Sequence, residues 1–265
     1  MKNIVRSILI LASALALNTA CTEKIDLKLK NADPQVVIEG NLSDQPGPHY
    51  VIVTKSKRFD ENNTFAGVPD ALVVISDDAG NTDTLTQPLV AGLYLTNTIQ
   101  GVVGRRYHLQ VTVEGVTYES YSSMQPPVDI DSVLVYEETN FQGETETEAE
   151  IVVRDPLGVR NCYRVVSYRH ERPSTGFNVQ NDRLWDGKLR NFNVPDDDDL
   201  LAGDTLRVDL WSIDEQAHTY FDQFNSNQNN FGAPAAPANP DPVFTPSCLG
   251  YFSAQSVTSK TIIVQ

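Results

Sequence analysis

Cysteine, methionine, tryptophan and histidine are all scarce in this chain of 265 residues: three, two, two and four respectively. Three cysteines exclude a disulfide-dense scaffold, and without a Cys-x-x-Cys pair a thiolate zinc site has no starting point. The histidines (His49, His108, His170, His218) lack His-x-x-x-His spacing, and His218 is expected to face solvent rather than to act as a base. No Gly-x-Ser-x-Gly elbow or glycine-rich phosphate loop occurs, so no cofactor is implied and the commonest signs of hydrolase chemistry are missing. Bases are outnumbered by acids, 20 to 35. A formal charge of −15 repels nucleic acid and anionic lipid headgroups, which removes both as partners of the protein surface. No apolar run reaches the ~20 residues that a transmembrane helix needs.

A shorter apolar run is present, and it is informative. Lys2 and Arg6 precede apolar residues 8–17, and then Asn18-Thr19-Ala20-Cys21 follows. A basic start, a short apolar segment and small residues before a cysteine read as a lipoprotein signal peptide over residues 1–20. Cys21 is then the lipidation site and the mature N-terminus. Acyl chains at ~0.8 kcal/mol per buried methylene anchor such a protein durably to a membrane. The mostly polar residues 21–33 read as a tether, extended at ~3.3 Å per residue. Losing the leader removes two bases and no acids, taking the charge to −17.

From residue 34 onward the pattern is β. Residues 36–38, 50–54, 71–76, 93–95 and 107–113 are short runs rich in β-branched and aromatic side chains. In the last of these Tyr107, Leu109, Val111 and Val113 share one face. Turn-type residues punctuate the runs at Asp78-Ala79-Gly80-Asn81 and Glu114-Gly115. Many short strands at this spacing predict a β-sandwich over 34–125. Met124-Gln125-Pro126-Pro127 cannot continue a ladder and places a domain boundary there. Residues 126–265 read as a second β-rich domain, with strands at 130–136, 162–168, 206–213 and 261–264. One short helix is expected near 214–225, opened by Asp214 and carrying Ala217, Tyr220, Phe221 and Phe224.

Several clusters invite a chemical reading. Glu144, Glu146, Glu148 and Glu150 recur at period two, giving a strand with one acidic face, a spacing that also discourages edge-to-edge pairing. Asp196, Asp197, Asp198 and Asp199 form a possible site for a hard cation, although they lack the Asp-x-Asp-x-Asp-Gly ligand order. Asp77, Asp78, Asn81 and Asp83 read as a hairpin tip. Cys162 and Cys248 are either a disulfide, closing a loop of roughly 85 residues worth up to ~4.6 kcal/mol, or two buried thiols. Residues 225–246, rich in Asn, Ala and Pro, form a possible binding loop with Phe231 and Phe244 as contact residues.

The order of these pieces resembles the Bacteroidota lipoprotein family catalogued as domain of unknown function 4249 (DUF4249). The resemblance runs through "LNTAC", "PQVVIEGNLSD", "GVPDALVVISDDAGNTDTL", "AGLYLTNTIQGVVGRRYHLQVTVEGVTYES", "DIDSVLVYEE", "NCYRVVSY" and "CLGYFSAQSV". Its first part is also similar to prealbumin-like modules, so the fold expected is mostly β: an N-terminal Ig-like or prealbumin-like sandwich, then a second β-rich domain. The resemblance implies an outer-membrane location, at the cell surface or the periplasmic face, and a partner in a TonB-dependent receptor. It brings no catalytic residues. The function expected is therefore a lipid-anchored accessory or binding protein of an uptake system, ligand unknown, with no enzymatic step. A structural or adhesion module of the envelope, and a surface hydrolase, are the alternatives.

Overall fold

The computed structural model describes residues 33–57, 65–139, 143–196, 199–228 and 239–265. The leader, Cys21 and the tether up to residue 32 lie outside the described residues, as do Asp197, Asp198 and Phe231.

Strands β1 (Val36–Ser43), β2 (Tyr50–Lys55), β3 (Leu72–Asp77), β4 (Thr82–Thr84), β5 (Leu93–Leu95), β6 (Arg106–Val113) and β7 (Val116–Ser123) build the first half. The second half holds β8 (Ile130–Thr139), β9 (Thr145–Arg154), β10 (Cys162–Arg169), β11 (Arg172–Pro173), β12 (Asn178–Asn181), β13 (Leu189–Asn193) and β14 (Thr205–Ile213). Helix α1 (Glu215–Gln228) and the fifteen-residue β15 (Leu249–Ile263) close the chain. Apart from short end strands, the strand positions follow the β-branched runs. The exceptions are β7 and β15. The latter extends the strand expected at 261–264 back to Leu249.

β15 decides the architecture. It pairs parallel with β1, from Val37↔Leu249 to Ser43↔Gln255, and antiparallel with β14, from Ser212↔Ser256 to Thr205↔Ile263. One long sheet therefore runs β11-β10-β14-β15-β1-β2-β5, with β12 added on β10. Two smaller sheets, β4-β3-β6-β7 and β13-β9-β8, pack on one face of it. Even-numbered β15 residues mark that face. Phe252 and Ala254 enter the first core, while Thr258 bonds the Val128 carbonyl and Lys260 the Asp131 carbonyl.

Each pair of sheets is a sandwich with its own core. In the first, Ile38, Val51, Val53 and Phe252 face Ile75, Tyr107, Leu109 and Val111, all fully buried. In the second, Tyr163, Val165, Leu206 and Val208 face Ile151 and Val153. The chain crosses from one core to the other between Met124 and Val128. Even so, Phe244, Cys248, Phe252 and Ala254 return to the first core, and residues 34–265 form one compact unit. The division at 125/126 thus separates two cores, and both share the sheet that β15 closes.

The glycine–tyrosine motifs have local physical causes. Gly250 has φ of +104°, and a Cβ there would lie 1.9 Å from the Ile38 carbonyl oxygen, so only glycine lets β15 approach β1. The Tyr94 hydroxyl donates to the Val68 carbonyl at 2.8 Å and accepts from the Ala71 amide at 2.8 Å, pinning the loop that precedes β3. Asp214 caps α1: its Oδ1 accepts from the Ala217 amide at 2.8 Å, and its Oδ2 accepts from Ser122 and Ser123. The helix lays Ala217 and Phe221 over Cys162 and Ile213, on the sheet face opposite the two sandwiches. His218, expected in solvent, is buried there, and burial lowers its pKa.

Candidate functional site

The residues singled out from sequence are mostly structural. Cys162 and Cys248 are both free and buried. Cys162 packs under α1 and Cys248 in the first core, so the disulfide reading is corrected to two separate thiols. Burial pushes Cys162 up to about 11 and Cys248 up to about 12, which keeps both protonated at neutral pH. Phe244 is not a contact residue of an open loop: it is 3% exposed and belongs to the first core, held beside the Thr245–Glu119 backbone pair.

Of the aspartate cluster, Asp196 has its carboxylate 3.9 Å from the Arg169 guanidinium, and the Asp199 carbonyl accepts from Arg169 at 2.7 Å. The described members of the cluster are therefore gathered around a protein cation. Asp196 and Asp199 share a hollow of about 250 Å³ with Glu146 and Glu148, so the fold joins two acidic stretches far apart in sequence. β9 is central only from Glu150 to Arg154, where β13 pairs with it; along Glu146 and Glu148, β8 is its one strand partner among the described residues, so these glutamates lie on an edge, as their spacing suggests. The alternation of β9 sends Ala149, Ile151 and Val153 into the second core. Asp77 and Asp83 hold turns. Asp83 accepts from the amides of Asn97, Thr98 and Ile99 at 2.7–2.9 Å.

A different site emerges on the outer face of the long sheet. Beside α1 a pocket of about 280 Å³ is walled by Tyr50, Tyr168 and Trp211 and floored by Asn41, Asp209 and Gln255, with His49 at its margin. These residues come one or two at a time from β1, β2, β10, β14 and β15. Five residues that line it each carry a buried polar atom with no hydrogen-bond partner: Asn41 Oδ1, His49 Nε2, Asp209 Oδ1, Trp211 Nε1 and Gln255 Oε1. A polar atom left unpaired in a protein interior is costly, and their concentration in one hollow marks a place built to be filled.

Their chemistry can be read atom by atom. The Asn41 amide donates to the Tyr251 hydroxyl at 3.0 Å, which leaves its oxygen as an acceptor turned elsewhere. His49 Nδ1 accepts from the Ser43 amide at 3.3 Å, so the neutral ring carries its proton on Nε2 as a free donor. Burial lowers the His49 pKa against the pull of Asp44, which keeps the ring neutral. Burial raises Asp209, partly offset by the Ser259 hydroxyl and by Arg207. The Trp211 indole N–H favours the charged Asp209 carboxylate, and Arg207 Nε lies 3.6 Å from Asp209 Oδ1. The pocket thus presents two N–H donors and three oxygen acceptors.

Its aromatic walls are held in place. The Arg164 guanidinium lies 4.9 Å from the Trp211 ring centre and 4.1 Å from that of Phe221. Arg207 stacks on Tyr168 at 3.9 Å. Burial pushes the Tyr50 hydroxyl up to about 12, so it too stays protonated. A larger hollow of about 420 Å³ near Lys55 is walled chiefly by the loop 66–71, and of its three charged residues, Lys55, Asp70 and Glu114, Lys55 and Glu114 pair with each other at 2.8 Å.

The fold and pocket define a mostly β protein of two sandwiches on a shared sheet, with a polar and aromatic hollow on that sheet's free face. The chain belongs to the family described as Domain of unknown function (DUF4249), which matches residues 22–261. No curated protein matches it. Among solved structures it is similar to a two fibronectin type-III domain segment from chicken tenascin, at 11% identity and a TM-score of 0.24. That likeness covers 87% of this chain and 99% of the tenascin segment, and it carries no argument about the pocket.

Proposed function

We propose that this protein is a lipid-anchored, non-enzymatic component of an outer-membrane uptake system, and that the hollow beside Trp211 captures a small uncharged saccharide or polyol. The observation that carries the reading is the convergence of five buried, unpaired polar atoms between aromatic walls. A hydroxyl donates and accepts at once, so a polyhydroxyl ligand satisfies the mixed donor and acceptor set. Aromatic rings cover its apolar C–H faces. The leader-like segment ending at Cys21 supports a membrane-anchored setting, and the family resemblance supports a TonB-dependent receptor as partner. An anchor supports this work through effective concentration, since tethering holds a weak site close to a receptor mouth.

Trp211 supplies the assay. Titration with glucose, galactose, N-acetylglucosamine and glycerol is expected to give a saturable fluorescence change with at least one of them, and Trp211→Phe should abolish it. Asn41→Ala and Gln255→Leu should weaken it. Dipeptides serve as the contrasting class. A response to dipeptides alone, or to none of these probes, overturns the ligand assignment. Separately, Cys21→Ala is expected to release the protein from membranes. Failure of any TonB-dependent receptor to co-purify from mild detergent removes the uptake role.

A further inference from the structure

Away from the pocket, two loops of the second sandwich bring three carboxylates together. Asp155 follows β9, and Asp182 and Asp186 lie between β12 and β13. One carboxylate oxygen from each sits within 4.8 Å of the other two. Asp155 and Asp182 are 3% and 4% exposed, while Asp186 opens to solvent. Like charges this close and this dry repel each other strongly. Two neighbouring arginines, Arg160 and Arg183, turn to Glu215, at 3.2 and 2.8 Å. What the carboxylates do receive orients them. Tyr163 and the Gly187 amide bond Asp155, the Asn161 amide bonds Asp182 at 2.8 Å, and the Gly158 amide bonds Asp186 at 2.8 Å.

A fourth oxygen points independently to a ligand. Asn161 is 1% exposed, and its Oδ1 has no hydrogen-bond partner. Its position follows from the strand pairing. The β10–β12 register ends at Cys162↔Asn181, and the next pair outward is Asn161 opposite Asp182, with the Asp182 amide donating to the Asn161 carbonyl at 3.2 Å. Directly opposed residues on antiparallel strands project to the same face, ~4.5–5.5 Å apart at Cβ. The unpaired amide oxygen is therefore turned to the side where the Asp182 carboxylate meets its two neighbours.

We infer that Asp155, Asp182, Asp186 and the Asn161 side-chain oxygen form a calcium site that clamps the 155–161 and 182–188 loops together. All four donors are hard oxygens, which suits Ca²⁺ over softer metals. Ca²⁺–O distances of ~2.3–2.6 Å put ligand oxygens on opposite sides of the ion at most ~5 Å apart, in keeping with the spacing of the three carboxylates. The solvent-facing side at Asp186 leaves room for the waters that complete six to eight ligands. This inference is independent of the saccharide reading, since no residue of the cluster lines that pocket.

Trp185, between Asp182 and Asp186 in sequence, stacks on Tyr163 with ring centres 5.9 Å apart and gives an optical handle. Tb³⁺ added to the full chain is expected to luminesce on tryptophan excitation and to be displaced by CaCl₂, with an affinity on the order of 0.1–1 mM, typical of extracellular calcium modules. CaCl₂ should also raise the thermal midpoint relative to EGTA. Asp186→Asn, at an exposed position that tolerates change, should weaken both responses about tenfold or more. Asp196→Asn, in the separate acidic hollow, should leave both unchanged. Absence of any Ca²⁺ response in the wild-type chain overturns the site, as does a response that survives Asp186→Asn or disappears with Asp196→Asn.

Discussion

If β15 belongs to the first core as much as to the second, residues 34–125 cut out as a fragment should not fold on their own. The cut removes Phe244 and Phe252, 3% and 0% exposed, together with Cys248 and Ala254. Two buried phenylalanines at ~1.5–3 kcal/mol each amount to about 3–6 kcal/mol. The cut also strips β1 of its parallel partner along Val37 to Ser43, leaving a central strand as an open edge. A domain of this size has only about 5–15 kcal/mol to lose. The fragment is therefore expected to show no cooperative urea transition by circular dichroism, whereas 34–265 should show one. Within the intact protein, Phe252→Ala should cost about 3–5 kcal/mol, read as a lower urea midpoint at unchanged slope. A fragment 34–125 that unfolds cooperatively, within about 1 kcal/mol of the parent, would refute the shared-sheet argument.

The two thiols should be inert to alkylation at pH 8 in the native state and react fully in denaturant. The thermal midpoint should not move with reductant, since Cys162 and Cys248 are free and their thiols are shifted up by burial. Burial alone would raise Asp83, but the amides of Thr98, Ile99 and Asn97, with the Asn97 side chain, outweigh it and hold the carboxyl below its usual range. A carboxyl depressed on folding contributes stability above the unfolded pKa of ~3.9 and loses it as pH falls through the folded value, so Asp83→Asn should flatten the acid limb of the stability curve. His49 is also depressed, by burial, so the folded state binds fewer protons than the unfolded one, and stability should fall as pH drops below ~6.5. That loss should shrink in His49→Leu, the remainder coming from His218, whose pKa burial also lowers, measured as urea midpoints between pH 7 and pH 5.

The fold was legible where side-chain period and turn chemistry agree. Tyr107, Leu109, Val111 and Val113 alternate in sequence and are all buried, and Asp214 both reads as and is a helix cap. β15 was hidden because its middle, Gln255 to Lys260, is polar on both faces except at Val257. There the strand passes between cores and bonds the linker carbonyls of Gln125 and Val128 instead of packing on apolar side chains. The glutamate ladder was readable as an acidic face, but the cover that β13 gives β9 from Glu150 onward was not, because β13, Leu-Arg-Asn-Phe-Asn, has only Phe192 pointing inward.

The two candidate sites were hidden for a related reason. A cluster such as Asp196 to Asp199 stands out because its members are adjacent, yet adjacent side chains diverge: the Asp196 carboxylate meets Arg169, while Asp199 reaches the same guanidinium through its backbone carbonyl. Ligand groups that converge must come from separate strands. Asn41, Asp209 and Gln255 each look like the solvent-facing position of an ordinary alternating strand. Only the order β10-β14-β15-β1-β2 sets them side by side, and only their burial to below 10% distinguishes them from a wet face. The same holds for Asn161 and Asp182, brought together where the pairing of β10 with β12 continues past Cys162 and Asn181. In a β protein the sheet order is the information that a binding site needs, and alternation along one strand does not contain it.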